Sequence, residues 1–330
     1  MQELVRAAAR LALKTLSLSI VTLCGVLPSF VLAQTATEGI LTTGPAPERS
    51  LCSATATCSS RTRFYPGYCG VVTDDTGRDW PVPTEVNTGR TCTDIWDECN
   101  GGGIVQNPAP ETIVVGQGGP EITGYIQGDN YSEFYVNGEF ICRDSVPFVP
   151  FNSSIVAFEA EYPITYAIRA TDWEEHLGIG MEYARYGVGD AGLVAAFSDG
   201  TRTGGEWRCQ VFSVAPVDDA SCVVEFEDGR RETSACPVRP SCASRDPETC
   251  SALHYEVPDN WASPDFDDSG LPLAKVFSER DVRPGRSYNS IRELFAGAQF
   301  IWTDDLNLDN EVLCRITVEG PSNLWPPSSA

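Results

Sequence analysis

From Glu111 to Glu319 the chain repeats one texture: short runs in which apolar and polar residues alternate, separated by Gly, Asp, Asn and Pro. Alternation at period two turns one side of an extended segment inward and the other toward water. Breaks at roughly 8–12-residue spacing are the rhythm of an all-β sandwich. The predicted strands are ETIVVG, EITGYIQG, SEFYVNGEFI, SIVAFEAEY, ITYAIRATDW, GLVAAFSDG, EWRCQVFSV, AKVFSE, AQFIWT and EVLCRITVE. Asn137-Gly138 takes positive φ readily in a two-residue turn, so it predicts a hairpin, with Phe134, Val136 and Phe140 inward against Tyr135. Helical signal is confined to SIRELFAGA, Ser290 to Ala298, which has a cap residue and an apolar face. TDWEEHLGIGMEYARYG is interrupted by Gly178, Gly180 and Gly187 and reads as strand or loop.

The texture differs before Glu111. Residues 34–110 are rich in Thr, Ser, Gly and Pro and end in NGGGIVQNPAP. Such a segment buries little core, so it is expected to form a cysteine-stapled, loop-rich module or an extension wrapped on the sandwich. Residues 1–33 read as a secretory signal: Arg6, Arg10 and Lys14 precede the apolar run LSLSIVTLCGVL, and Val31-Leu32-Ala33 precedes a cut at Gln34. That run is too short to span a bilayer, so no membrane insertion is expected after cleavage. The expected division is therefore a signal at 1–33, a cysteine-rich extension at 34–110, the sandwich at 111–319 and a tail at 320–330.

Charge narrows the function classes. Lys+Arg 23 against Asp+Glu 46 gives a formal net charge of −23, which repels nucleic acid. His176 and His254 are the two histidines, too few for a three-histidine zinc centre. Of 13 cysteines, Cys24 lies in the signal. Cys52, Cys58, Cys69, Cys92 and Cys99 come early, and Cys142, Cys209, Cys222, Cys236, Cys242, Cys250 and Cys314 come late. No C-x-x-C occurs, so an exported chain with this even set predicts disulfides. Both groups are odd in number, so complete pairing requires a bridge between them.

Several segments follow one another in an order that resembles the galactose-binding-like, discoidin-like jelly-roll domains of extracellular and glycosidase-associated proteins. They are Asp129-Asn130 with FYVNGEFI, SIVAFEA, GDAGLVAAFSDGTRT with EWRCQ, NWASPDFDDSGLPLAKV, and FIWTDDLNLDNEVLCRITV. The chain departs from the family pattern at Leu271, where tryptophan is usual, while Pro272 and Ala274 agree. The resemblance implies a jelly-roll β-sandwich, a frequent structural Ca²⁺ and, as in the founding members, sugar binding without catalysis, while many copies of the domain only pack against a neighbouring domain.

The expected role is a secreted, non-catalytic protein binding a glycan or a cell surface, with Tyr131, Arg143, Asp144, Trp173 and Glu174 as loop residues facing the ligand. Trp207, Trp261 and Trp302 are expected in the core. An extracellular structural or adhesion protein with protein partners is the alternative. A carboxylate-dependent hydrolase would need two acids across a cleft, the nearest being Glu159 with Glu161 or Glu174 with Glu175. No G-x-S-x-G, H-E-x-x-H, P-loop or G-x-G-x-x-G unit is present. The sequons at Asn130 and Asn152 are glycosylation acceptors in a host equipped for it. Oxygen ligands for Ca²⁺ are offered by Asp265, Asp267 and Asp268 in DFDDS and by Asp304, Asp305 and Asp309 in TDDLNLDN. Melting with and without EDTA tests these runs: a bound ion requires the Tm to fall on chelation, and an unchanged Tm removes calcium from the account.

Overall fold

The computed structural model describes residues 38–44, 70–82, 84–97, 102–145, 153–172, 189–242 and 247–322. The signal segment, Trp173, Glu174, Glu175, Asn152, Cys52, Cys58, Cys69 and Cys99 lie outside the described residues.

Two seven-stranded sheets pack face to face as a β-sandwich. The first runs in the order β1 (Ile40–Thr43), β15 (Ser251–His254), β12 (Arg208–Val217), β18 (Asp309–Val318), β10 (Ile164–Thr171), β7 (Tyr131–Val136), β8 (Glu139–Arg143). The second is ordered β16 (Lys275–Phe277), β17 (Phe300–Trp302), β11 (Gly192–Phe197), β6 (Glu121–Asp129), β9 (Ser153–Glu159), β4 (Thr93–Asp94), with β5 (Thr112–Val114) also on β9. Pairing is antiparallel except between β5 and β9. Two small hairpins, β2 (Gly70–Thr73) with β3 (Asp79–Val82) and β13 (Val224–Glu225) with β14 (Arg231–Glu232), complete the strands.

Every predicted run forms a strand. The core forms where the inward residues of the two sheets meet. Phe134 and Tyr166 come from the first sheet and Phe158 and Phe197 from the second, with ring centroids 5.3 Å apart for Phe134–Phe197 and 4.6 Å for Tyr166–Phe197. The chain passes from one sheet to the other between β6 and β7, at Asp129-Asn130. Trp207 and Trp302 are fully buried and Trp261 nearly so, as their core assignment required.

The hairpin at Asn137-Gly138 is present, with φ of 49° and 85°. Its inward face differs from the predicted one. Phe134 and Val136 are buried, but Phe140 pairs directly across from Tyr135, and opposed residues of a ladder share a face. A register shift beyond this pair puts Ile141 and Cys142 inward instead. The predicted helix starts earlier than its cap signal: α1 (Glu279–Val282) opens on a Ser278 capping box, and α2 (Gly285–Ile291) runs into a 3₁₀ turn at Arg292–Phe295.

Described segments of the N-terminal extension are part of the sandwich. β1 extends the first sheet on the edge of β15, and β4 extends the second on the edge of β9. Cys92–Cys142 joins the early and late cysteine groups, the link their odd numbers required. Cys209–Cys314 bridges the neighbouring strands β12 and β18, and Cys222–Cys236 and Cys242–Cys250 close the insertion between β12 and β15. The four disulfides among the described residues suit an oxidising environment, and among the same residues no helix is long and apolar enough to cross a membrane.

Phe134 touches both aromatic partners of the opposite sheet, so Phe134→Ala is expected to lower stability by about 3–5 kcal/mol, read as a drop in the urea midpoint.

Candidate functional site

The outward face of the first sheet is the unusual one. Inward positions alternate as Phe134 and Val136 on β7, Ile168 and Ala170 on β10, and Val312 and Cys314 on β18. The intervening residues carry polar groups that are nonetheless buried: Tyr131 and Glu133 on β7, and Glu311 on β18. Arg169 stands directly opposite Glu133, while Ser213 of β12 stands opposite both Glu311 and His254. The ladder thus aligns a row of polar side chains across five strands.

The extension covers that row. Arg169 donates through Nε and Nη2 to Glu311 Oε1. Thr84 Oγ1 donates to the same oxygen at 3.1 Å. Glu133 accepts from Tyr131 Oη at 2.8 Å, from Tyr135 Oη at 2.6 Å and from the Asn87 backbone N–H at 3.3 Å. Burial pulls the Arg169 pKa down, but Glu311 and Glu133 outweigh it and hold the guanidinium above its ordinary value. Burial, reinforced by Glu133, pushes both phenols up, so they remain neutral donors.

Trp80, on β3, closes one side. Its Nε1 donates to Asp74 Oδ2 at 2.9 Å, and Asp74 also caps its own turn through the N–H groups of Thr76 and Arg78. Hydrogen bonds from Thr76 and Trp80 hold the Asp74 carboxyl well below the usual range. The indole stacks on His254 at 5.5 Å, and the Arg78 guanidinium lies 4.0 Å over the Trp80 ring. His254 Nε2 in turn meets Thr42 Oγ1 of β1 at 2.8 Å.

Between the β2–β3 hairpin and the first sheet lies a cleft of ≈ 320 Å³, lined by Trp80, Thr84, Arg169, Ser213, His254 and Glu311 and rimmed by Arg78, Glu85, Glu256 and Asp259. Ser213 is 5% exposed and His254 3%, yet the Ser213 hydroxyl and the His254 Nδ1 have no hydrogen bond among the described residues. Neutral hydrogen-bonding groups therefore stand ready at the floor. Arg78 is paired with Glu256 and Arg169 with Glu311, whereas Glu85 and Asp259 have no cationic partner among the described residues.

The sequence-predicted ligand residues lie elsewhere. Tyr131 is on β7 and not in a loop, and its ring is fully buried. Arg143 ends β8 and Asp144 follows it, and both are buried because residues 90–92 pair against them: the Arg143 backbone carbonyl accepts from Cys92 N–H at 2.7 Å. None of the three presents a surface to a ligand. Asn130 is fully buried too, so a glycan on its sequon is incompatible with this fold. Glu159 ends β9 and Glu161 lies beyond the strand, so they do not share a strand face.

The aspartates proposed for calcium hold their own loops. Asp268 Oδ2 lies 2.9 Å from Arg315 Nε, Asp267 caps Ser269 N–H at 3.1 Å, and the Asp265 N–H donates to Ser263 Oγ. Asp309 Oδ2 accepts from Thr303 Oγ1 at 2.7 Å, Asp305 Oδ1 accepts from Asn307 N–H at 2.8 Å, and the Asp304 carbonyl accepts from Lys275 Nζ. Among the described residues no three acidic, histidine or cysteine side chains gather in a group able to hold a metal ion. The six aspartates therefore do not come together as such a group.

The cleft residues Trp80, Ser213 and His254 had no sequence signal marking them, since they come from three segments that meet only through the sheet. The Trp80-containing run DWPV was legible only as an aromatic in a cysteine-rich region.

Two buried groups make opposite pH contributions. Burial pushes His254 down to about 4, so the stability it contributes is complete above pH 6.5 and is lost as the pH falls through 4. Burial pushes the Asp309 carboxyl up to about 7, so its contribution is complete below pH 3.8 and is lost as the pH rises through 7. Between pH 7 and about pH 4.5 each is worth on the order of 2–3 kcal/mol. Acidification over that range is expected to destabilise Asp309→Asn relative to the parent chain and to stabilise His254→Gln, as measured by urea midpoints at both pH values.

Comparison of the chain with family models, with curated proteins and with solved structures finds no match.

Proposed function

We propose that this chain is a secreted, non-catalytic recognition protein built on a galactose-binding-like jelly-roll sandwich, and that the cleft beside Trp80 binds a hydroxyl-rich ligand, a glycan segment of an extracellular or cell surface. The signal-like leader and the four disulfides support export. The observation that carries the site is the pair Ser213 and His254. Both are buried, they are partners across the ladder, and each keeps hydrogen-bonding capacity toward an open cleft. Buried polar groups are ordinarily satisfied within the protein, so such a pair at a cleft floor is suited to the hydroxyls of a ligand. The reading as binding without catalysis is supported by two buried carboxylates of this face that are already engaged, Glu311 by Arg169 and Thr84 and Glu133 by two tyrosines.

Ser213→Ala removes one floor group with little change in packing. A glycan array probed with the full chain is expected to show retention of particular sugars. Ser213→Ala is expected to bind them roughly tenfold more weakly, the loss of about one hydrogen bond, with an unchanged urea midpoint. No retained sugar, or undiminished binding by Ser213→Ala, overturns the proposal.

A further inference from the structure

The charges around the cleft narrow the ligand further, and this step rests on the recognition reading above. Trp80 is only 7% exposed, with its ring stacked on His254 and the Arg78 guanidinium over it, so no sugar ring stacks on it. The aromatic platform that ordinarily supplies affinity for sugars is thus missing from this cleft, and recognition falls to hydrogen bonds and charge. The two arginines at the site are neutralised, Arg78 by Glu256 and Arg169 by Glu311. Asp79 has a neutral partner, the Thr73 hydroxyl at 2.6 Å, while Glu85 and Asp259 stand exposed on the rim without a cationic partner among the described residues. With His254 neutral near pH 7, the cleft therefore carries three uncompensated carboxylates, inside a chain whose formal net charge is −23. Such a field repels uronates and sulfated sugars and draws cations toward the mouth.

We infer that the ligand is an amino sugar with a free, protonated amine, its hydroxyls meeting Ser213 and His254 and its ammonium group facing Glu85 and Asp259. A neutral sugar uses the floor and leaves the rim unused. A basic peptide uses the rim and leaves the two floor groups without partners. The amino sugar uses both, and a cleft of ≈ 320 Å³ is of a size to admit it.

The test uses the full chain and isothermal titration near pH 6.5 with two probes, a glucosamine tetramer and its fully N-acetylated counterpart, which differ in charge and share the hydroxyl pattern. The deacetylated tetramer is expected to bind roughly tenfold tighter, the effect of two partly exposed charge contacts. The preference is expected to disappear in Glu85→Gln/Asp259→Asn and to shrink as salt is raised from 50 mM to about 500 mM. The rim residues are exposed, so an unchanged urea midpoint is the check that this variant is folded. Equal binding of the two tetramers, or tighter binding of the acetylated one with the loss caused by Ser213→Ala retained, overturns the charge assignment and leaves the recognition reading standing. Failure of both tetramers together with an empty glycan array removes both. A lysine-rich peptide that binds as tightly as the amine tetramer, and is indifferent to Ser213→Ala, overturns the sugar assignment in favour of a basic protein partner.

Discussion

Arg169 sets the terms for this fold. It lies on β10, inside the first sheet, on a face where a solvated guanidinium would be expected, yet its side chain is 18% exposed. A charge withdrawn from water in this way is tolerated only with close counter-charges and filled hydrogen-bond positions. The ladder provides the first requirement by placing Glu133 directly across β7 and Glu311 on β18 within reach. The second comes from outside the sheet, because Thr84 and the Asn87 backbone N–H take positions on those two carboxylates. A sandwich ending at the predicted boundary of Glu111 would leave this row facing water without those partners.

The role of the cysteine-rich extension follows. It adds a strand to an edge of each sheet and is tied to β8 through Cys92–Cys142. Covering edges in this manner removes exposed backbone donors and acceptors that would otherwise template association. The extension and the sandwich therefore share one polar network, and the cleft lies between that cover and the sheet beside Trp80. Polar groups left at its floor and carboxylates left on its rim are consequences of an incomplete seal over a polar face.

Much of the architecture was readable locally. Alternating runs such as ITYAIRAT and EVLCRITV need only side-chain polarity at period two to be assigned, and Asn137-Gly138 needs only its tolerance of positive φ. The misses share a cause. β1, β4 and β15 are two to four residues long and have no pattern of their own. They are strands because a longer partner offers an unpaired edge. In sequence Tyr131, Arg143 and Asp144 look like binding-loop residues because polar and aromatic residues near a turn usually face water. Here residues far earlier in the chain fold over them, and no local property reports that cover.

Composition and pattern by themselves determined the β class, the strands of the ten alternating runs, the acidic exterior and the requirement for a disulfide between the early and late cysteines, because each depends on residue type and short-range order. The tertiary structure alone decided which polar residues are buried and which stay available. Glu133 and Glu311 look like ordinary strand carboxylates in sequence, and Ser213 and His254 like ordinary strand residues. Their difference arises from cross-strand register and from an extension whose Thr84 and Asn87 engage the first pair while the second pair keeps hydrogen-bonding capacity, and both of those are properties of contacts between distant segments.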